Sequence, residues 1–263
     1  MKTIFKSMIV VGIFSLIIVT VTYFNMGTNS SNEFQKPRAA ILDMMYTKQP
    51  NKYFDDTAET YLRDAGYQVD TYKTENITVD FYKKLPTMNY KFIVFRTHGL
   101  PSGTFEKSAS IFTGEIYSKN KYFSEQMTRQ LEKGVPYLRS VIHANGGYGA
   151  YVNETYFVIG SKFIDQSMIG KFPDSVILIG GCDVMSNNEL AKSFVSRGAS
   201  VVVGWNDLVS LDDNDRGILM VMHETVVSKK SMDSAIKSVM ANFTADSIFP
   251  AKLKYYTKGL EKL

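Results

Sequence analysis

Apolar residues recur along the chain in short, nearly continuous runs that are bounded by turn residues. The four clearest runs are Arg38–Met44, Lys91–Thr97, Ser175–Gly180 and Ala199–Gly204. Runs of this kind are typical of strands buried on both faces, as in parallel sheets. Two helical patterns, Tyr53–Ala65 and Asn187–Arg197, each end at a glycine, the preferred residue just after a helix. The alternation of strands and helices predicts an α/β sandwich with a mostly parallel central sheet.

The segment from Ser110 to Ile159 has a different pattern. It contains three candidate strands around an Asn145-Gly146-Gly147 turn: Ile111–Tyr117, Leu138–Ala144 and Tyr151–Ile159. A helix is predicted over Tyr122–Lys133. We interpret the segment as a β-rich insertion in the α/β domain.

The amino terminus carries a candidate membrane segment. Lys2 and Lys6 precede an uncharged, mostly apolar run, Ser7–Phe24, of about 18 residues. The lysines favour a cytoplasmic amino terminus, and no small-x-small cleavage site follows the run. We therefore predict a signal anchor over residues 1–26, with a cleaved signal peptide as the alternative; either way the remainder is exported. Residues 27–36 are predicted to be a flexible tether, and residues 37–263 one folded domain.

The net charge and the single cysteine limit the possible binding partners and the possible roles of the thiol. The net charge of +4 over 263 residues does not suggest nucleic acid as a partner. The chain has a single cysteine, Cys182, so it forms no internal disulfide. In an exported domain an odd cysteine indicates an intermolecular bridge or a thiol kept for its reactivity, and the alternative is a small buried hydrophobic residue.

Two residues capable of catalysis follow predicted strands directly. His98 comes after Lys91–Thr97, and Cys182 comes after Ser175–Gly180 and Gly181. Ligands of open parallel sheets bind beyond the carboxyl ends of the strands, so both side chains are expected at one crevice. There an imidazole can take the thiol proton, which produces the reactive thiolate. Gly99 and Gly181 would leave backbone amides accessible for an oxyanion site.

A strand ending in His98-Gly99 and a later strand ending at Cys182 resemble the caspase-like (clan CD) cysteine peptidases. Residues 180–226, GGCDVMSNNELAKSFVSRGASVVVGWNDLVSLDDNDRGILMVMHETV, look most like CHAT and gingipain-type domains. The resemblance, over roughly residues 38–230, implies a caspase-like three-layer sandwich with the β-rich insertion between the His and Cys strands. It also implies that His98 is the general base or imidazolium partner, that Cys182 is the nucleophile, and that the amides of Gly99 and Cys182 form the oxyanion hole. Gly180-Gly181 departs from the alanine that many members carry before the cysteine.

The segment after Ala199–Gly204 is expected to border the substrate pocket. Trp205 and Asp207 are the candidate pocket residues, and the neighbouring aspartates either select a basic side chain or cap a helix that begins near Asp213. His143 and His223 are interpreted as structural. Three histidines and one cysteine without ligand spacing predict no metal site.

Together these features predict a membrane-tethered, extracytoplasmic cysteine endopeptidase. It would cleave a protein or peptide substrate through a thioester, without metal or organic cofactor, and would contact the membrane through its amino-terminal helix. The competing hypothesis is a non-catalytic caspase-like binding or scaffold module. A third is a hydrolase that uses the same nucleophile on a non-peptide ester or thioester.

Overall fold

The part of the chain that the structure describes forms ten strands and seven α-helices. The computed structural model describes residues 36–104, 106–133, 155–243 and 249–259. The strands are β1 (Arg38–Asp43), β2 (Gln68–Lys73), β3 (Tyr90–Arg96), β4 (Gly99–Leu100), β5 (Ser110–Ile116), β6 (Leu131–Lys133), β7 (Tyr156–Ile159), β8 (Ser175–Gly180), β9 (Ala199–Trp205) and β10 (Leu253–Thr257). The helices are α1 (Lys52–Asp64), α2 (Val79–Lys84), α3 (Phe123–Met127), α4 (Ser161–Gln166), α5 (Glu189–Ser196), α6 (Leu211–Met222) and α7 (Met232–Asn242), and a π-helical turn, His223–Val227, continues α6.

The chain divides into two units, Met1–Lys36 and Pro37–Leu263, and the fold lies in the second. The predicted anchor at residues 1–26, and the predicted tether except for Lys36, lie outside the described residues. Within the described ranges, no helix combines the length and the apolar character needed to cross a membrane. The anchor stays a prediction.

The central sheet has six strands in the order β10-β9-β8-β3-β1-β2. All neighbouring strands are parallel except β9 and β10, which are antiparallel. The predicted α/β class with a mostly parallel sheet is therefore confirmed. The four predicted strands correspond to β1, β3, β8 and β9, and the two edge strands, β2 and β10, were not predicted from the sequence.

Helices cover both faces of this sheet. Side chains of a strand alternate between the faces, so in β3 Ile93 and Phe95 belong to one apolar cluster while Phe92 and Val94 belong to another. Helices α2, α4 and α5 pack on the first face, and α1, α6 and α7 pack on the second. Burial on both faces explains why the central strands read as continuous apolar runs.

The two predicted helices form with the expected ends. Asn51 caps α1, since its side-chain oxygen accepts a hydrogen bond from the amide of Phe54 at 3.1 Å. Gly66 and Gly198 follow α1 and α5 with φ of 90° and 107°, a left-handed conformation that favours glycine. These helices are confirmed together with their predicted glycine stops.

Strands β4 to β7 form a second, antiparallel sheet in the order β4-β5-β7-β6, and they lie between β3 and β8 in the chain. The helix predicted over Tyr122–Lys133 is wrong in its second half. Helix α3 ends at Met127, Arg129 has a φ of 56°, and Leu131 then pairs with Ile159 as part of β6. The predicted strand Leu138–Ala144 and the 145–147 turn lie outside the described residues.

Candidate active site

The central sheet brings the ends of β3 and β8 together. The two strands are parallel neighbours, with Arg96 opposite Gly180. His98 and Cys182 each follow this last pair by two residues. The pairing continues into the loops, because the amide of Thr97 donates a hydrogen bond to the carbonyl of Gly180 at 2.8 Å.

Beyond the strands, the two loops touch through their backbones. The carbonyl oxygen of Cys182 occupies the space into which a side chain at Gly99 would project. A methyl group on Gly181 would lie 3.0 Å from the carbonyl oxygen of Thr97 and 3.3 Å from the amide nitrogen of Gly99. The absence of a side chain at both glycines is what allows the His98 and Cys182 loops to approach this closely.

Gly99→Ala tests this backbone contact. The added methyl would overlap with the Cys182 carbonyl, which is backbone and cannot move aside cheaply. We expect the free energy of unfolding to fall by about 1–3 kcal/mol, and the folded variant to lose reactivity at Cys182 because the loops are pushed apart. Urea titration and alkylation of the folded protein measure the two effects.

Gly114→Ala is the matched control for this substitution. A methyl on Gly114, which lies on β5 of the second sheet, would overlap with the backbone carbonyl of Thr74, the residue after β2. It should destabilise the fold by a similar mechanism and leave the reactivity of Cys182 unchanged. Equal reactivity of the wild-type chain and Gly99→Ala would show that the contact does not position the thiol.

Cys182 carries a half-buried thiol that is not part of a disulfide. Its S–H donates to the carbonyl of Val209 at 3.4 Å, and the amide of Val209 donates back to the sulfur at 3.5 Å. The side chain also packs against the apolar cluster that contains α1 and α6. These hydrogen bonds hold the sulfur against the segment after β9. This contact was not predicted from the sequence.

His98 is partly exposed, and its ring packs edge-on against Phe112 of β5, with 6.0 Å between ring centroids. The backbone carbonyl of His98 accepts a hydrogen bond from the amide of Phe112 at 3.1 Å. Burial of the ring, with the positive charge of Arg96 as a second cause, lowers the pKa of His98 to about 3. The imidazole is therefore neutral at physiological pH, which is the form that can accept a proton.

A buried ionic network lies directly behind His98. Arg96 is 1% exposed and bonds to Asp215 of α6 at 2.9 Å and to Asp43 of β1 at 3.1 Å. Asn51 donates a further bond to Asp215 at 2.8 Å. The network joins the ends of β1 and β3 to the N-cap of α1 and the second turn of α6, and it therefore braces the edge of the sheet that precedes His98.

The predicted pocket residues differ in their placement. Trp205 is fully buried, and its ring lies 5.4 Å from that of Phe243, so the structure places it in the core rather than on a pocket rim. Asp207 is exposed. It lies beside the cysteine loop, since its backbone carbonyl accepts a hydrogen bond from the amide of Asp183 at 3.1 Å. The carboxylate of Asp207 accepts the amide of Leu208 at 2.7 Å. Asp207 therefore remains the candidate for substrate contact.

The other two histidines, His143 and His223, are not among the candidate catalytic residues. His143 lies outside the described residues. His223 begins the π-helical turn and packs edge-on against Tyr61, on α1. In the described ranges, no group of three or more His, Cys, Asp or Glu side chains is arranged to hold a metal ion.

Two residues of the candidate site, Arg96 and Val209, were not predicted from the sequence. Arg96 and Asp43 are charged residues at the ends of two apolar runs. Charged residues are rarely buried unless they are paired, so these two could have been predicted from the sequence as an ion pair. Val209 contributes only backbone groups, which no residue pattern reveals.

Comparison with known proteins adds no family assignment. Neither the scan against models of protein families nor the search of curated proteins found a match to this chain. The fold and the site geometry are therefore the basis for the functional proposal.

Proposed function

We propose that the chain is a cysteine endopeptidase with a caspase-like three-layer sandwich, anchored in the cell membrane by residues 1–26 with its catalytic domain outside the cytoplasm. One observation carries the proposal: the His98-Gly99 and Gly181-Cys182 loops are in backbone contact at the carboxyl ends of adjacent parallel strands. That edge is where ligands of open parallel sheets bind. The position of the second sheet between β3 and β8 agrees with the insertion that the family resemblance implies.

The proposed reaction has two steps. The Cys182 thiol gives its proton to neutral His98, the sulfur attacks the peptide carbonyl, and the C–N bond breaks as the proton passes to the leaving amine. Water then hydrolyses the thioester, which releases the carboxylic acid and restores the thiol. The amides of Gly99 and Cys182 are the proposed donors to the oxyanion. The low pKa of His98 leaves the imidazole neutral and weakly basic in the resting site.

The second candidate function is a non-catalytic binding module. It is favoured by the paired hydrogen bonds between the Cys182 sulfur and the backbone of Val209, together with the packing of Cys182 on an apolar cluster. In that case the thiol would serve as a structural link between the segments after β8 and β9. Cys182→Ala would then lower the free energy of unfolding and abolish no reaction.

A peptide library incubated with the full-length chain tests the proposal, with Cys182→Ser as the matched control. We expect cleavage at internal peptide bonds by the wild-type chain and none by the variant, because a serine hydroxyl beside a weakly basic imidazole is a far poorer nucleophile. Cleavage that persists in Cys182→Ser would exclude this nucleophile. Hydrolysis of aryl esters or thioesters without any peptide cleavage would support the hypothesis of a non-peptide hydrolase, and inactivity on all of them would support the binding module.

A further inference from the structure

A groove of about 470 Å³ lies between α1 and α6, and neither His98 nor Cys182 lines it. Its volume falls within the range of about 300–1,000 Å³ that is typical of small-molecule sites. One wall carries Tyr53, Thr57 and Tyr61, which are spaced four residues apart on one face of α1. The opposite wall is formed by α6 and by the π-helical turn that follows it.

The groove combines apolar and aromatic surfaces. Tyr53 is 72% exposed, although it is a large aromatic residue with no core role. Tyr61 is held edge-on against His223, with 5.6 Å between ring centroids, while Leu219 and Met220 provide aliphatic surface on α6. Exposed tyrosine faces attract organic cations as well as apolar groups.

One carboxylate that lines the groove has no ion pair with any described residue. The positive charge of Arg216 is engaged by Asp213 at 2.6 Å and lies over the ring of Phe243 at 4.5 Å. Glu224 is paired with Lys230, and Asp215 shares the single positive charge of Arg96 with Asp43. The exposed carboxylate of Asp212 has no ion pair or hydrogen bond with any described residue. A ligand that neutralised this charge would carry a positive group.

The π-helical turn is a second, independent feature of this wall. His223 and Glu224, its first two residues, line the groove. A π turn inserts an extra residue at a cost in helix stability, and such turns occur frequently at functional sites. Here the turn places the ring of His223 against that of Tyr61, and both residues line the groove.

We infer that the α1–α6 groove is a binding site for a small organic cation with an aromatic or aliphatic body. The ammonium or guanidinium group would lie between the Asp212 carboxylate and the ring of Tyr53, and the body would pack on Leu219 and Met220. Neither His98 nor Cys182 lines the groove, so the inference does not depend on the peptidase proposal.

Titration of the full-length chain with phenethylamine, followed by NMR, tests this inference. The neutral isostere 2-phenylethanol serves as the control ligand. We expect saturable binding of the amine with a Kd in the range of about 0.1–10 mM, with shifts of the Asn51 and Thr57 amides, and binding of the alcohol about tenfold weaker. Asp212→Asn and Tyr53→Ala should each weaken binding of the amine about threefold to tenfold.

Two surface variants provide matched controls for these substitutions. Asp56→Asn removes an exposed carboxylate of α1 outside the groove, and Phe123→Ala removes an exposed aromatic ring on α3. Both should leave the affinity for phenethylamine unchanged. The inference is overturned if the Kd for the amine exceeds about 10 mM, if the amine binds no better than the alcohol, or if it binds equally well to Asp212→Asn.

Discussion

Replacement of His98 with alanine is expected to lower kcat/KM for the best peptide of the library by about 10²–10⁴-fold. The reason is that the proposed base is lost just after β3, beside the strand that leads to the cysteine loop. The variant should remain folded, because the loop is held by backbone bonds that survive the substitution: the amide of Thr97 donates to Gly180, and the amide of Phe112 donates to the carbonyl of residue 98. Initial rates on a fluorogenic peptide measure the effect.

His223→Ala is the matched control, since its side chain is 48% exposed and lies on the π-helical turn after α6. It should retain wild-type activity within about twofold, an effect of less than about 0.5 kcal/mol. A His98→Ala variant as active as the wild-type chain would remove the base from the proposed mechanism. Loss of activity in both variants would indicate a general effect on the fold.

Replacement of Arg96 with leucine is expected to destabilise the fold by about 3–5 kcal/mol. The substitution leaves two carboxylates, Asp43 at 0% and Asp215 at 3% exposure, buried without their counter-ion. Burial already raises the pKa of Asp43 in spite of the opposing effect of Arg96, so loss of the cation should favour its protonation further. Urea denaturation at neutral pH measures the change in the free energy of unfolding.

Arg63→Leu provides the comparison for Arg96→Leu. Arg63 pairs with Glu59 at 2.6 Å on the exposed face of α1, and pairs of this kind contribute less than about 1 kcal/mol. The combination of Arg96→Leu with Asp43→Asn and Asp215→Asn should recover part of the lost stability, since the buried charges are then removed. A loss below about 1 kcal/mol in Arg96→Leu would mean that water reaches the network and that it does not brace the edge beside His98.

The sequence predicted the interior of the central sheet better than its edges. Strands β1, β3, β8 and β9 are covered on both faces, so their apolar runs are continuous and easily recognised. Edge strand β2 has the sequence QVDTYK, of which only Val69 is buried, and β10 mixes lysine and tyrosine in the same way. Because polar and apolar residues are mixed in both edge strands, neither forms the continuous apolar run that indicates a buried strand.

The wrong half of the predicted 122–133 helix has a tertiary cause. Local residues there favour a helix, but Leu131 is 1% exposed and pairs with Ile159 across the second sheet. The apolar residue is more stable in that sheet than at the end of an isolated helix, so packing overrides propensity. The sequence of residues 122–133 alone does not show that Leu131 can pair with the distant Ile159.

Parts of the candidate site could be predicted because they depend on strand ends alone. His98 and Cys182 follow their strands directly, and adjacent parallel strands bring such residues to one edge. The network of Asp43, Arg96 and Asp215 joins three distant parts of the chain and depends on where α6 packs. Trp205 was misplaced for a related reason, since its burial depends on contacts with α6 and Phe243.

Cys182 and His98 are proposed to act as a pair on a bound peptide. The most direct test is the rate at which Cys182 in the full-length chain is modified by a peptidyl acyloxymethyl ketone that carries the preferred library sequence, with the adduct located by mass spectrometry. We expect the native chain to react at least about 100-fold faster than the urea-denatured chain and than His98→Ala. Equal rates in the native chain, the denatured chain and His98→Ala would show that the two residues do not act as a pair.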